Sequence, residues 1–95
     1  MIVSFRDQET ESIWAGDFKK KIQLPTNLHN LARRKLRLID AATDIETLRI
    51  PPSNHLELLK GNRKGQYSIR INNRYRICFE WLEGNAHRVE IIDYH

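Results

Sequence analysis

The sequence predicts an α+β fold in which two N-terminal helices pack on a mainly antiparallel sheet, within one domain spanning residues 1–95. Three observations predict it. An apolar stripe at helical period runs through the middle of the first half. Runs that alternate apolar and polar residues fill the second half. The pair Pro51–Pro52 separates the two patterns, stops any helix and begins an extended connection.

The elements follow in order. Ile2, Val3 and Phe5 predict a short first strand. Residues 8–14 predict a short helix ending near Gly16. Lys19, Lys20 and Lys21 read as a solvated loop. Pro25 and Thr26 open the main helix, because proline is tolerated in a first turn. It runs to about Ala42. Leu28, Leu31, Ala32, Leu36, Leu38, Ile39 and Ala42 share one stripe, with Arg33, Arg34 and Arg37 opposite. Lys35 interrupts the stripe and is expected to snorkel outward. Thr43-Asp44-Ile45-Glu46 has the form of a capping box and predicts a further helical turn.

Three half-buried strands come next, carried by Tyr67, Ile69 and Ile71, by Tyr75, Ile77, Phe79 and Trp81, and by Val89 and Ile91. Asn72–Asn73 and Gly84–Asn85 mark their turns. Register follows from keeping one face apolar. A two-residue loop at Asn72–Asn73 would set Ile69 against Arg76. A three-residue loop, residues 72–74, sets Ile69 against Ile77 and Tyr67 against Phe79. The same reasoning around Glu83-Gly84-Asn85 pairs Phe79 with Val89, Ile77 with Ile91, and Glu80 with Arg88.

This register places Arg70 directly opposite Arg76 on the polar face. Two like charges in that position repel. They either splay into water or take an anion between them, and planar guanidiniums suit phosphate. Tyr94 points to the same face, Arg74 lies nearby at the loop, and Asp93 falls on the core face.

Composition narrows the function. Lys and Arg outnumber Asp and Glu by 16 to 12, giving a net charge of +4 and a pI of about 9.5. Between Lys60 and Arg76 stand six cations and no acid, interleaved with Tyr67 and Tyr75, which resembles a nucleic-acid surface. The loop from Lys60 to Gly65 could cradle phosphate, but it is not a Walker loop. One cysteine, Cys78, excludes a disulfide framework and a Cys-based zinc cluster, and it reads as a packed residue. His29 and His87 read as solvent-exposed. With His55 and His95 they match no metal template. No cofactor, metal or membrane span is expected, and the chain reads as cytoplasmic.

Asp93, Tyr94 and His95 close the chain with three groups able to hold or move protons. RNA cleavage by attack of its own 2′-OH needs a base, positive charge around the phosphorane and an acid for the leaving 5′-oxygen. Histidine suits acid or base, and DNA, lacking the 2′-OH, would be spared.

The stretches Leu59-Lys60-Gly61, Ser68-Ile69-Arg70 after Gly65, Tyr75-Arg76-Ile77-Cys78-Phe79 and Asp93-Tyr94-His95 resemble the HigB toxins, of plasmid-maintenance-killer type, in the RelE/ParE superfamily. Asp40 to Thr43 and the opening Met1 to Phe5 match as well. The resemblance implies a compact RelE-like microbial RNase fold and a toxin that cuts mRNA in the ribosomal 30S A site. It implies a HigA-type helix-turn-helix antitoxin as partner, with operator DNA reached only through that antitoxin. By position, Arg76 would stabilise the scissile phosphate and Lys60 would assist it. Asp93, Tyr94 and His95 would supply acid–base and orienting groups. Arg63, Lys64, Arg70, Asn73 and Arg74 would bind RNA. Some relatives have a histidine where this chain has Glu57, so either Glu57 serves as base, or the C-terminal residues do, or activity is weaker. His55 follows the proline pair and could reach the site, but two positions before Glu57 in an extended segment it would point elsewhere. The alternatives are a gyrase-targeting toxin of the ParE branch and a noncatalytic nucleic-acid or antitoxin-binding module.

Overall fold

The protein is described from a computed structural model, over residues 1–17 and 22–93. The Lys19–Lys21 run and the terminal Tyr94 and His95 lie outside the described residues. Helix α1 (Gln8–Ala15) starts where the Asp7 carboxylate accepts from Thr10 N. It ends at Gly16, whose φ of +74° is the left-handed conformation glycine tolerates. A 3-10 turn (Thr26–Leu28) leads into helix α2 (His29–Ala41). The sheet is antiparallel, in the order β1 (Glu57–Leu58), β2 (Gln66–Arg70), β3 (Tyr75–Leu82) and β4 (Asn85–Asp93).

The helices cover one face of the sheet. Ile13, Leu36 and Ile39 meet Ile69, Ile77, Phe79 and Val89, all fully buried. Tyr67 stacks on Phe79, and Trp81 meets Phe79 edge-on. Side chains alternate across a strand, so Ser68, Arg70, Arg76, Cys78 and Glu90 take the opposite face.

The β2–β3 register is as expected: Tyr67 faces Phe79, Ile69 faces Ile77 and Arg70 faces Arg76. The Asn72 carboxamide fastens the three-residue loop by accepting from Arg74 N and Tyr75 N. The β3–β4 hairpin departs from expectation. Ile77 does face Ile91, but Leu82 pairs with Asn85, leaving a two-residue loop at Glu83–Gly84. Both loop residues have positive φ, 52° and 79°, as a turn matching the strand twist requires. A bulge absorbs the offset, with Arg88 and Val89 both opposite Phe79 and Glu80 paired with His87 rather than Arg88. Arg88 takes φ 52° and still reaches Glu80 at 4.0 Å.

Other expectations need correction. Ile2 and Phe5 form isolated parallel bridges to Ala86 and Val89 instead of a strand. The segment is stitched to the bulge, where Ser4 accepts from Arg88 N and Val89 N. Asp44, not Thr43, caps the next turn, which is a 3-10 helix (Ile45–Arg49). The prolines do not begin an extended run, because a 3-10 turn (Pro52–Asn54) follows and His55 turns left-handed at φ 46°. His29 is buried, with Nε2 2.7 Å from the Leu24 carbonyl. Leu38, expected on the buried stripe, is 38% exposed. Lys35 does not snorkel but turns inward, donating to the Asn54 carboxamide oxygen.

Candidate active site

The site lies on the sheet face turned away from the helices. Its centre is Arg76 on β3. Arg76 is 7% exposed, rare for a cationic residue unless its donors are satisfied. Nε donates to Ser68 Oγ at 2.8 Å, and Nη2 donates to the His55 carbonyl at 2.6 Å and the Ser68 carbonyl at 3.4 Å. Glu57 on β1 brings Oε1 to 3.9 Å from Nη2. The strands explain the arrangement. Ser68 and Cys78 are register partners two residues along from the Arg70–Arg76 pair, and Glu57 pairs with Ser68 on the far side.

Arg70 does not splay into solvent. Its Nε donates to the Asn72 carbonyl at 3.0 Å and Nη2 donates to Asn73 Oδ1. Its Nη1 lies 3.4 Å from His55 Nε2. A guanidinium can only donate, so this contact needs an unprotonated Nε2. His55 therefore touches both arginines, one through its carbonyl and the other through its ring. Of its two readings, reaching the site holds and pointing elsewhere does not, because the left-handed turn after Pro52–Asn54 folds it back over the sheet. Ser68, also unassigned from sequence, is the hydroxyl that seats Arg76. Its position opposite Cys78, two residues along from the facing arginines, was the only available signal.

The expected cations divide into two kinds. Arg63 donates to Glu90 at 2.5 Å and braces the 3-10 turn (Gly61–Arg63) against the sheet. Arg74 forms a two-pronged pair with Asp93 at 2.9 and 2.7 Å. Each carboxylate raises the pKa of its arginine, first through the hydrogen bond. Lys60 and Lys64, in contrast, are exposed, on a groove with Leu58, Leu59, Gly61 and Gly65. Asp93 faces Tyr75 across β3–β4, on the helix side, and so belongs with Arg74 rather than with Arg76.

Cys78 is 1% exposed. Burial pushes its thiol up to about 11, so it stays neutral and unreactive near pH 7. An open groove of about 470 Å³ runs from Arg70 past His55, Asn72 and Asn73 to Lys35 and Leu31. Among the described residues no helix is long and apolar enough to cross a membrane. None of their His, Cys, Asp and Glu side chains gather in threes around a candidate metal position.

A two-helix layer on one face of a four-stranded antiparallel sheet has solved counterparts. A chain of the YoeB–YefM complex from Staphylococcus aureus matches with a TM-score of 0.57 over 100% of this chain and 98% of that one, at 18% identity. A second structure, a heterotetrameric YoeB–YefM toxin–antitoxin complex from the same organism, matches at 0.56. The fold is that of the RelE-like toxins.

The sequence comparisons narrow this class. Residues 3–95 match the family described as the RelE-like toxin of type II toxin–antitoxin system HigB. Toxin HigB-1 of Vibrio cholerae serotype O1 is 41% identical over 86 residues, 90% of each protein. Endoribonuclease HigB of Proteus vulgaris is 38% identical over 61 residues, 64% of this chain and 65% of that one. The chain belongs to the HigB-like toxin family of type II toxin–antitoxin systems.

Proposed function

We propose that this toxin is a metal-independent endoribonuclease that cuts mRNA in the ribosomal 30S A site. In this reading it stops translation and growth in the cytoplasm and is neutralised by a HigA-type helix-turn-helix antitoxin. One observation carries the reading: Arg70 and Arg76 face each other across β2 and β3, with Arg76 locked in place by Ser68 and the His55 carbonyl. Two arginines held at facing positions of one sheet face offer a preorganised seat for a phosphate whose charge grows in the transition state. The endoribonuclease named among the relatives supports the reaction class. The toxin–antitoxin complexes among the structural neighbours support the protein partner.

The roles follow from position. The scissile phosphate sits against Arg76 and Arg70, with Lys60 and Lys64 holding the neighbouring backbone. Asn73 and Asn72, beside Arg70, contact the strand as it leaves. A base removes the 2′-OH proton, the hydroxyl oxygen attacks phosphorus, and an acid returns a proton to the departing 5′-oxygen. Glu57 is the candidate base with visible geometry, 3.9 Å from Arg76 and exposed to an incoming ribose. Tyr94 and His95 complete the acid–base set from the chain end. Arg63, Arg74 and Asp93 act as braces in this reading, since their charges are already engaged within the protein.

Inducing the chain without its antitoxin should arrest growth and leave mRNA breaks inside reading frames. Intact mRNA in cells with full expression would sink the proposal, and DNA damage in its place would point to gyrase.

A further inference from the structure

Arg76 can serve a phosphate only if the backbone that holds it is itself held. That backbone is the His55 carbonyl, which lies outside the sheet in a left-handed turn. Its fixing point is Asn54, 0% exposed and polar. The Asn54 amide nitrogen donates to the Leu48 carbonyl at 3.1 Å and the Ile50 carbonyl at 3.3 Å. Its carboxamide oxygen accepts from the Lys35 ammonium on α2. Backbone bonds from Asn54 N to Pro51 O (2.9 Å) and His55 N to Pro52 O (3.0 Å) close the turn.

We infer that Lys35 and Asn54 are positioning residues for catalysis: α2 sets the Asn54 turn, and the turn's His55 carbonyl sets Arg76. This rests on the reading of Arg76 as the phosphate-binding catalytic residue. Several facts favour a dedicated clasp over ordinary core filling. The lysine interrupts an otherwise apolar stripe, and its amine meets a side chain that is also buried. Burial lowers the Lys35 pKa, with Arg34 adding to the effect, so the buried ammonium carries a desolvation cost. A stripe leucine there would avoid that cost. The carboxamide then satisfies two further carbonyls that a loop could not bury unpaired. The clasp ends one residue before the carbonyl that Arg76 uses. The same turn sets the His55 ring against Arg70, so both arginines depend on it.

The test compares Lys35→Met, Lys35→Arg, Asn54→Ala and Arg76→Ala in the full chain on ribosomes carrying mRNA. Lys35→Met keeps the buried stem and removes the donor, so it should fold, with a modest loss of stability because the Asn54 oxygen is left without that partner. Displacing a reacting group by about 1 Å can cost ~100-fold in rate. Lys35→Met is expected to lower the single-turnover cleavage rate by ~10-fold or more, with mRNA–ribosome affinity unchanged. Lys35→Arg, which restores a donor, should recover most of that loss. Asn54→Ala should lose more, with some loss of stability.

The Arg76 Nε–H resonance in the free protein gives a second readout, independent of activity and of the proposed reaction. It should move in Lys35→Met and return in Lys35→Arg. A folded Lys35→Met with wild-type cleavage and an unmoved Arg76 resonance overturns the clasp. Unchanged cleavage by Arg76→Ala overturns the functional reading, whereas a shifted resonance would still uphold the clasp as a structural link.

Discussion

The two faces of the sheet use the same strands and reach similar burial by opposite means. On the helix side, Ile69, Ile77, Phe79 and Val89 are fully enclosed by other apolar groups. On the open side, Ser68, Arg76, Cys78 and Glu90 are nearly as hidden, although they lie on the face away from α1 and α2. They are shielded by one another, by the 3-10 turn that Arg63 braces, and by the turn at His55. The helix side is held by area removed from water, a non-directional force that tolerates related side chains. The open side is held by hydrogen bonds with fixed partners, so its shape depends on each partner being present. A stiff apolar layer can therefore carry a polar one whose geometry is set residue by residue, as a catalytic surface requires.

The comparison can be broken first on the apolar side. Phe79 is the largest fully buried side chain among the described residues. Phe79→Ala should cost about 3–5 kcal/mol, measured by chemical denaturation, and much of the protein should be unfolded at growth temperature. A loss below 1 kcal/mol would mean the helix side is not the principal source of stability. The polar side should respond differently. Arg76→Ala should lower mRNA cleavage by ~100–1,000-fold, as loss of one preorganised donor does. Cleavage within threefold of wild type would remove Arg76 from the site.

Cys78 tests how dry the open face is. Its thiol pKa is raised from 9.0 to about 11 by burial, so the folded state favours the neutral form. That contribution is complete below pH 9 and is lost as the pH rises from 9 through 11. Two units correspond to roughly 2–3 kcal/mol. Stability at pH 8 and pH 10.5 should diverge in the wild type more than in Cys78→Ala. Equal pH dependence in the two would show the thiol to be wet.

Ser68→Ala removes the hydroxyl that accepts from Arg76 Nε. A cost of about 1–3 kcal/mol is expected because the buried donor stays behind, together with slower cleavage. Unaltered thermal melting and activity would show that the Ser68 hydroxyl is not needed to seat Arg76. The smallest effect belongs to Asp93→Asn. The pair with Arg74 is half-exposed, and such pairs contribute little to stability. Cleavage should fall by less than ~10-fold, short of what a true acid or base supplies. A larger fall would return Asp93 to the chemistry.

Much of this was legible from residue order. The alternation of Tyr67, Ile69, Ile77 and Phe79 admits one loop length that keeps a face apolar, and it delivers the Arg70–Arg76 pairing without coordinates. The α2 stripe and the Gly16 terminus were legible for the same reason, since helical period and φ preference are local. Lys35 and His29 misled because a polar residue at a helix position reads as outward, and nothing local reveals a partner such as Asn54 or the Leu24 carbonyl. The Glu83–Gly84 loop and the bulge at Arg88 escaped because two compensating shifts leave the apolar alternation nearly intact.

By itself the sequence determined most of the helix and strand pattern, the β2–β3 register and the family. These rest on period, propensity and turn chemistry, which neighbouring residues decide among themselves. Only the tertiary structure decided which cations are engaged by carboxylates, how His55 reaches both arginines and why a lysine interrupts α2. Each of those depends on groups far apart in the chain, 35 with 54, 63 with 90 and 55 with 76. Their meeting is set by the packing of whole elements, which no local pattern encodes.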